Sequence, residues 1–261
     1  MNLDLKGRRA IVCGSTQGIG KAAAIEMALL GASVTLVARD QNKLEAVVAA
    51  LPRLEGQHHE FIQADFDLPE ELEKKIFRYV QGTKAHILVN NTGGPPGGPI
   101  LDASIADFEK AYRSHLLCSH LMVQWVVPGM KEDKYGRIIN VISTSVKIPL
   151  RNLGVSNTTR GAVANWSKTL SLELAPFNIT VNNVLPGATM TARLKSIMED
   201  KARQSGKSYE EVKAETAREI PAGRICEPEE VGAAIAFLAS PAASYINGIN
   251  VPVDGGRTGS L

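Results

Sequence analysis

The feature of this sequence that most constrains its fold is the alternation of short β-branched apolar runs with longer segments of helical spacing. Strand-like runs fall at residues 10–13, 33–38, 59–64, 87–90, 137–142, 179–185 and 249–251, and helix-like segments at 19–30, 43–51, 70–80, 105–130, 158–174 and 228–238. Strand followed by helix, repeated to the end, predicts a doubly wound α/β fold: a seven-stranded parallel sheet with helices on both faces. Right-handed crossovers bury such strands on both sides, so Ile87-Leu88-Val89 shows no polar alternation. Gly31 stands where a glycine ends the first helix, and Pro69 followed by Glu70 and Glu71 has the makeup of a first helical turn. With 261 residues and neither repeat nor linker, residues 1–261 are expected to form one domain.

Two stretches break this rhythm. Residues 92–99 are a glycine and proline run after the fourth strand, and residues 187–221 form a charged, helix-prone insertion before the last helix and strand. In an open α/β sheet ligands bind beyond the carboxyl ends of the strands, and long connections there serve binding. Residues 187–221 are therefore expected to act as a substrate lid, with a surface helical hairpin as the plain alternative.

Charge and cysteine usage narrow the function classes. There are 29 Lys and Arg against 27 Asp and Glu, a net charge of +2, and the basic residues are scattered, without the stripe that marks a nucleic-acid partner. Cys13, Cys118 and Cys226 lie far apart, which fits neither a disulfide framework nor a metal knuckle and leads us to expect a reducing cytoplasm. His58, His59, His86 and His120 lack the carboxylate company or spacing of a metal site, so no metal is expected. Residues 1–9 are charged where a signal peptide would be apolar, and no apolar run reaches membrane-spanning length, so no membrane partner is expected.

After the first strand comes Cys13-Gly14-Ser15-Thr16-Gln17-Gly18-Ile19-Gly20-Lys21. Glycines here allow a tight turn, close approach of the backbone to a pyrophosphate and close helix–strand packing, while the helix start supplies amide donors and a positive dipole. The spacing G-x-x-x-G-x-G is neither the G-x-G-x-x-G fingerprint nor a P-loop. It resembles the cofactor loop of the short-chain dehydrogenase/reductases, and the resemblance runs along nearly the whole chain. Asn90-Asn91-Thr92-Gly93 is similar to that family's N-N-A-G element, and Pro186-Gly187 with Thr191 to its P-G-x-x-x-T. Gly223-Arg224, Pro228-Glu229-Glu230-Val231, Phe237-Leu238-Ala239-Ser240 and Val253-Asp254-Gly255-Gly256 resemble the 3-oxoacyl-carrier-protein reductase branch. The resemblance implies a Rossmann-type fold, a nicotinamide dinucleotide, a small-molecule or acyl substrate, and self-association as a homotetramer or homodimer. It implies cofactor contacts from Gly14, Ser15, Gln17, Gly18, Ile19 and Gly20 in the turn, from Asp65 and Phe66 at the adenine, and from Asn91, Gly93, Pro186, Gly187 and Thr191.

Charge at the end of the second strand bears on which dinucleotide binds. An acidic side chain there would hold the ribose diol of NAD, but Val37-Ala38-Arg39-Asp40 presents Ala38 and then Arg39, whose fork of donors suits a 2′-phosphate. Asp40 is expected to cap the following helix. NADP(H) is favoured over NAD(H).

The catalytic pattern departs from the family's. That family reduces carbonyls with a Tyr as proton donor, a Lys that holds the nicotinamide ribose, a Ser at the carbonyl oxygen and an Asn on the long helix. Ser143 ends the fifth strand at the Ser position; the Tyr position, thirteen residues on, is Ser156; the Lys position is Arg160 and the Asn position His115. Only Ser143 keeps the family's residue type. An aliphatic hydroxyl is a much poorer acid than a phenol, and an Arg cannot pass protons as a Lys can. Arg160 can still bridge ribose hydroxyls. His115 is then the remaining group with an ordinary pKa suited to acid catalysis, against the plain alternative of a packed helix residue, which is also the reading for Tyr112.

Overall fold

The computed structural model describes residues 1–260. Its strands are β1 Arg9–Cys13, β2 Ser33–Ala38, β3 Glu60–Gln63, β4 Ile87–Asn90, β5 Gly136–Val141, β6 Ile179–Pro186 and β7 Asn250–Val253. They form one parallel sheet in the order β3-β2-β1-β4-β5-β6-β7. The helices are α1 Gly18–Leu29, α2 Gln41–Ala50, α3 Pro69–Gly82, α4 Ile105–Tyr112, α5 Cys118–Glu132, α6 Gly154–Leu174, α7 Ala192–Ser205, α8 Tyr209–Arg218 and α9 Pro228–Ala239. Strand order reverses between β1 and β4, which opens a crevice at the carboxyl edge of the sheet. Among the described residues no helix is long and apolar enough to cross a membrane.

Each face of the sheet has its own apolar core. On one side Met27, Leu44 and Ile235, from α1, α2 and α9, pack on Val12, Leu36 and Val184. On the other, Leu72 and Ile76 of α3 and Met122 of α5 pack on Ile11, Leu88 and Ile138. Burying such a side chain fully is worth about 1.5–3 kcal/mol. Gly232 lets α9 cross α1 closely, since a Cβ there would lie 2.9 Å from the Ala22 carbonyl carbon.

A chain of asparagine amides ties the strands together laterally. Asn90 donates to Asn140 at 2.9 Å, Asn140 to Asn183 at 3.0 Å, and Asn183 to Asn250 at 2.8 Å, so four adjacent strands from β4 to β7 share one side-chain network. Asn140 also donates to Ser167 Oγ of α6, which fixes that helix against the sheet at 3.2 Å.

Several boundaries differ from the sequence expectation. The third strand is Glu60–Gln63 rather than 59–64, because His59 turns its ring inward, accepting from Val34 N through Nδ1 and bonding the Pro52 carbonyl through Nε2. The last strand is Asn250–Val253 rather than 249–251, pinned by its pairing with Asn183–Pro186. The helix expected over 105–130 is broken into α4 and α5 by a π-helical turn at Arg113–Leu117, and α6 begins at Gly154 rather than 158. Asp40 does cap α2, its carboxylate accepting from Lys43 N at 3.1 Å, and Pro69 is the first residue of α3. The 187–221 segment carries α7 and α8 around a small core of Met198, Ala202, Val212 and Ile220.

Candidate functional site

The turn from β1 into α1 is built to hold its backbone close to whatever lies above it. Gly14 N donates to Val37 O at 2.8 Å, and Ser15 Oγ accepts from Val37 N at 3.1 Å. The Ser15 side chain is thus fully buried and committed to β2, so any contact it makes with a ligand must come from its backbone. Asn91 Nδ2 donates to the carbonyls of Cys13 and Gly14 at 3.3 and 3.2 Å, strapping the turn to the end of β4. A Cβ on Gly20 would sit 2.2 Å from Gly14 O, so only glycine closes this turn.

The start of α1 is open to an anion. Gln17, its N-cap, is exposed and makes no side-chain cap, and no acidic residue occupies the first turn. The first amides of α1 are therefore left with their partial positive charge uncompensated by the chain. Gly18 has φ +54°, and a Cβ there would meet Thr191 Cγ2 at 3.1 Å, which brings the start of the 187–221 segment onto the glycine turn. Thr191 caps α7, its Oγ1 accepting from Leu194 N at 3.3 Å, and Gly187 N donates to Val253 O at 2.9 Å. Ile19 packs against the core below.

Other residues expected at a dinucleotide fall along the same edge. Arg39 is exposed just past β2, its carbonyl accepting from Gln63 Nε2 at 3.1 Å. Asp65 follows β3 and accepts from Asp67 N at 2.9 Å, and the carbonyl of Phe66 accepts from Cys118 Sγ at 3.2 Å. Gly93 has open space where a Cβ would be.

The residues expected at the catalytic positions lie beyond the carboxyl ends of β4 and β5 and on the helices beside them. Ser143 opens a short turn right after β5, and its Oγ accepts from Ser145 N at 3.1 Å, leaving the hydroxyl proton to donate. Ser156 and Arg160 lie one turn apart near the start of α6. The Arg160 head is buried, Nη1 donating to Val141 O at 2.9 Å and Nη2 to Thr92 O at 3.4 Å. Desolvation alone pulls this guanidinium down to about 10, still protonated at neutral pH.

His115 sits in the π-helical turn, 3 % exposed, with Nδ1 hydrogen-bonded to Thr92 Oγ1. Burial, and then the neighbouring Arg160 charge, drive its pKa down to about 2. This environment favours the neutral ring and weighs against an imidazolium that could give up a proton. Tyr112, read as core or interface packing, is 44 % exposed in this chain and so lies outside its core.

Two residues that connect the site were not singled out from the sequence. Thr92 binds both His115 through its side chain and Arg160 through its carbonyl. The signal was present, since Thr92 stands where the N-N-A-G element has alanine. Arg193 of α7 donates to Pro95 O at 2.7 Å, so the glycine and proline run touches the 187–221 segment. That run also pairs with the start of α6, Gly98 N donating to Asn152 O at 2.8 Å, and a cavity of about 130 Å³ opens between Pro95, Pro99, Asp107 and Val155.

Known proteins match this arrangement along the whole chain. Residues 14–258 match the family model described as enoyl-(acyl carrier protein) reductase. The 3-oxoacyl-[acyl-carrier-protein] reductase of Aquifex aeolicus is 33% identical over 98% of this chain and 99% of its own length. The NADPH-dependent reductase BacG of Bacillus subtilis is 29% identical over 97% of this chain and 99% of its own. The crystal structure of L-sorbose reductase from Gluconobacter frateurii, complexed with NADPH and L-sorbose, superposes with a TM-score of 0.93 at 29% identity and covers 100% of both chains.

Proposed function

This chain belongs to the short-chain dehydrogenase/reductase family, and on that premise we propose that it binds NADP(H) and interconverts a carbonyl and a secondary alcohol on a small-molecule or acyl substrate, slowly, through a non-standard site. The observation that carries the binding half is the glycine turn leading to an uncapped α1 start, where Gly20 lets the helix close against the turn backbone. When bound, the nicotinamide supplies hydride exchange with the substrate carbon. The turn amides would hold its pyrophosphate and Arg39 its 2′-phosphate. Asp65 and Phe66 would flank the adenine, and Asn91, Gly93, Pro186, Gly187 and Thr191 the nicotinamide half, with Arg160 toward the ribose.

Ser143 is the group placed to donate a hydrogen bond to a carbonyl oxygen and polarise it. What the site lacks is a good acid. Ser156 has an aliphatic hydroxyl, Arg160 keeps its proton, and His115 is neutral. The proton that neutralises an alkoxide must then arrive through water or through tautomer exchange at His115, and turnover is expected to be low. The 187–221 segment serves as the lid over this site in the same reading, and exposed Leu117, Leu172 and Tyr245 offer apolar surface for a homodimer or homotetramer.

A second reading is favoured by the same replacements: an NADP-binding paralogue, catalytically impaired, whose role is regulatory or structural. A panel of ketones with NADPH separates the two. Slow oxidation of NADPH that Ser143→Ala abolishes, with NADPH affinity kept, supports the enzyme; no oxidation above background with intact binding supports the paralogue.

A further inference from the structure

We infer that Arg160 makes this site discriminate between the redox forms of its cofactor, holding NADPH, whose nicotinamide ring is neutral, in preference to NADP⁺, whose ring is a cation. The inference rests on the cofactor reading above and adds a property of this chain's own residues to it.

The observation is a buried cation without a counter-ion. Arg160 is 8 % exposed, and its recorded acceptors are two neutral carbonyls, Val141 O and Thr92 O. No carboxylate pairs with it among the described residues, and burial alone shifts its titration. The neighbouring side chains do not compensate the charge: His115 is held neutral, and Ser156, one turn earlier on α6, cannot ionise in the working range. The carbonyls that fix the head belong to the last residue of β5 and to the second residue past β4, so the charge lies at the carboxyl edge of the sheet, beside the crevice.

The two cofactor forms share their adenine, riboses and phosphates, and those charges cancel when the forms are compared. They differ by one positive charge on the nicotinamide ring. A fixed cation that is neither paired nor screened by solvent acts on that difference alone. At an effective dielectric of about 20, two unit charges closer than about 12 Å interact by more than about 1.4 kcal/mol, which is a tenfold change in affinity. A preference of tenfold or more for NADPH follows. Oxidised cofactor would be released in favour of reduced, so the site holds the nucleotide in its hydride-bearing form.

Calorimetric titration of the purified protein with NADPH, NADP⁺ and 2′-phospho-ADP, which has neither the nicotinamide nor its ribose, tests this. The wild type should bind NADPH at least tenfold more tightly than NADP⁺. Arg160→Lys, which keeps the charge, should keep that ratio within threefold, and Arg160→Met should narrow it to less than threefold. Affinity for 2′-phospho-ADP should stay within threefold throughout, showing that the glycine turn is intact. If Arg160→Met loses its fold, Arg160→Gln reads the same ratio. Equal wild-type affinities for the two forms, or a ratio untouched by removing the charge, overturns the inference while leaving the cofactor reading standing. Failure of the wild type to bind any of the three ligands takes down the cofactor reading itself.

Discussion

Arg160 Nη1 donates to the carbonyl oxygen of Val141 at 2.9 Å, which anchors a helix-borne cation to the end of β5 rather than to an acid. The head is large and planar, and the small side chain of Ser156 one turn earlier leaves it room. Room for this head and the absence of a phenol at position 156 therefore go together. Ser156→Tyr combined with Arg160→Lys should raise NADPH-dependent ketone reduction by about 10²-fold or more, the usual worth of a positioned general acid. Ser156→Tyr alone should gain less, because the ring competes with the guanidinium for space. Initial rates on a ketone panel check this, and unchanged turnover in the double variant would place the defect elsewhere.

His115 should leave a signature in the pH dependence of stability. Its ring titrates at about 2 when folded and near 6.5 when unfolded, so below 6.5 the unfolded chain binds the extra proton. The stability this neutral ring preserves is complete above that pH and is lost as pH falls toward 2, by up to about 1.4 kcal/mol per pH unit. Denaturant midpoints between pH 7 and 4 should fall more steeply for the wild type than for His115→Gln. Parallel curves would contradict the buried, neutral ring.

The asparagine chain predicts a stability effect at a site remote from any ligand. Asn140→Leu would strand the amide of Asn90, the carbonyl oxygen of Asn183 and the hydroxyl of Ser167 inside the sheet. Leaving buried polar groups unpaired should cost about 2–4 kcal/mol, measured by urea unfolding. A loss below about 0.5 kcal/mol would show that the network is not cooperative.

The legible and illegible parts of this fold have physical causes. β2 and β4 are readable to the residue because apolar and β-branched residues dominate them and their central residues are buried on both faces. The glycine turn was readable because Gly14, Gly18 and Gly20 answer local steric demands. The π-helical turn at Arg113–Leu117 was not, since its residues are all ones an ordinary α-helix accommodates and none of them marks a widened turn. The asparagine chain was also hidden: Asn90, Asn140, Asn183 and Asn250 meet only through sheet pairing between strands far apart in sequence. Ser143, Ser156, Arg160 and His115 are read from position alone, and the burial of His115 is something no local pattern reveals.

Arg39 should set the choice between phosphorylated and plain cofactor. It is exposed at the end of β2, and Asp40 beside it is occupied in capping α2. Arg39→Ala should weaken NADPH binding by about tenfold, the worth of a charge-assisted contact, with little change for NADH, and should flatten the salt dependence of NADPH affinity. Equal losses for both cofactors would mean that Arg39 does not meet the 2′-phosphate.

The measurement that bears most directly on the account is a crystal structure grown with NADPH, paired with the same experiment on Gly20→Ala. In the wild type a pyrophosphate should lie against the amides of residues 14–20 with the nicotinamide directed toward Ser143 and Arg160, and both should be lost in the variant, whose new Cβ would fall 2.2 Å from Gly14 O. A wild-type structure at saturating NADPH with the nucleotide bound elsewhere, or bound nowhere, would contradict it.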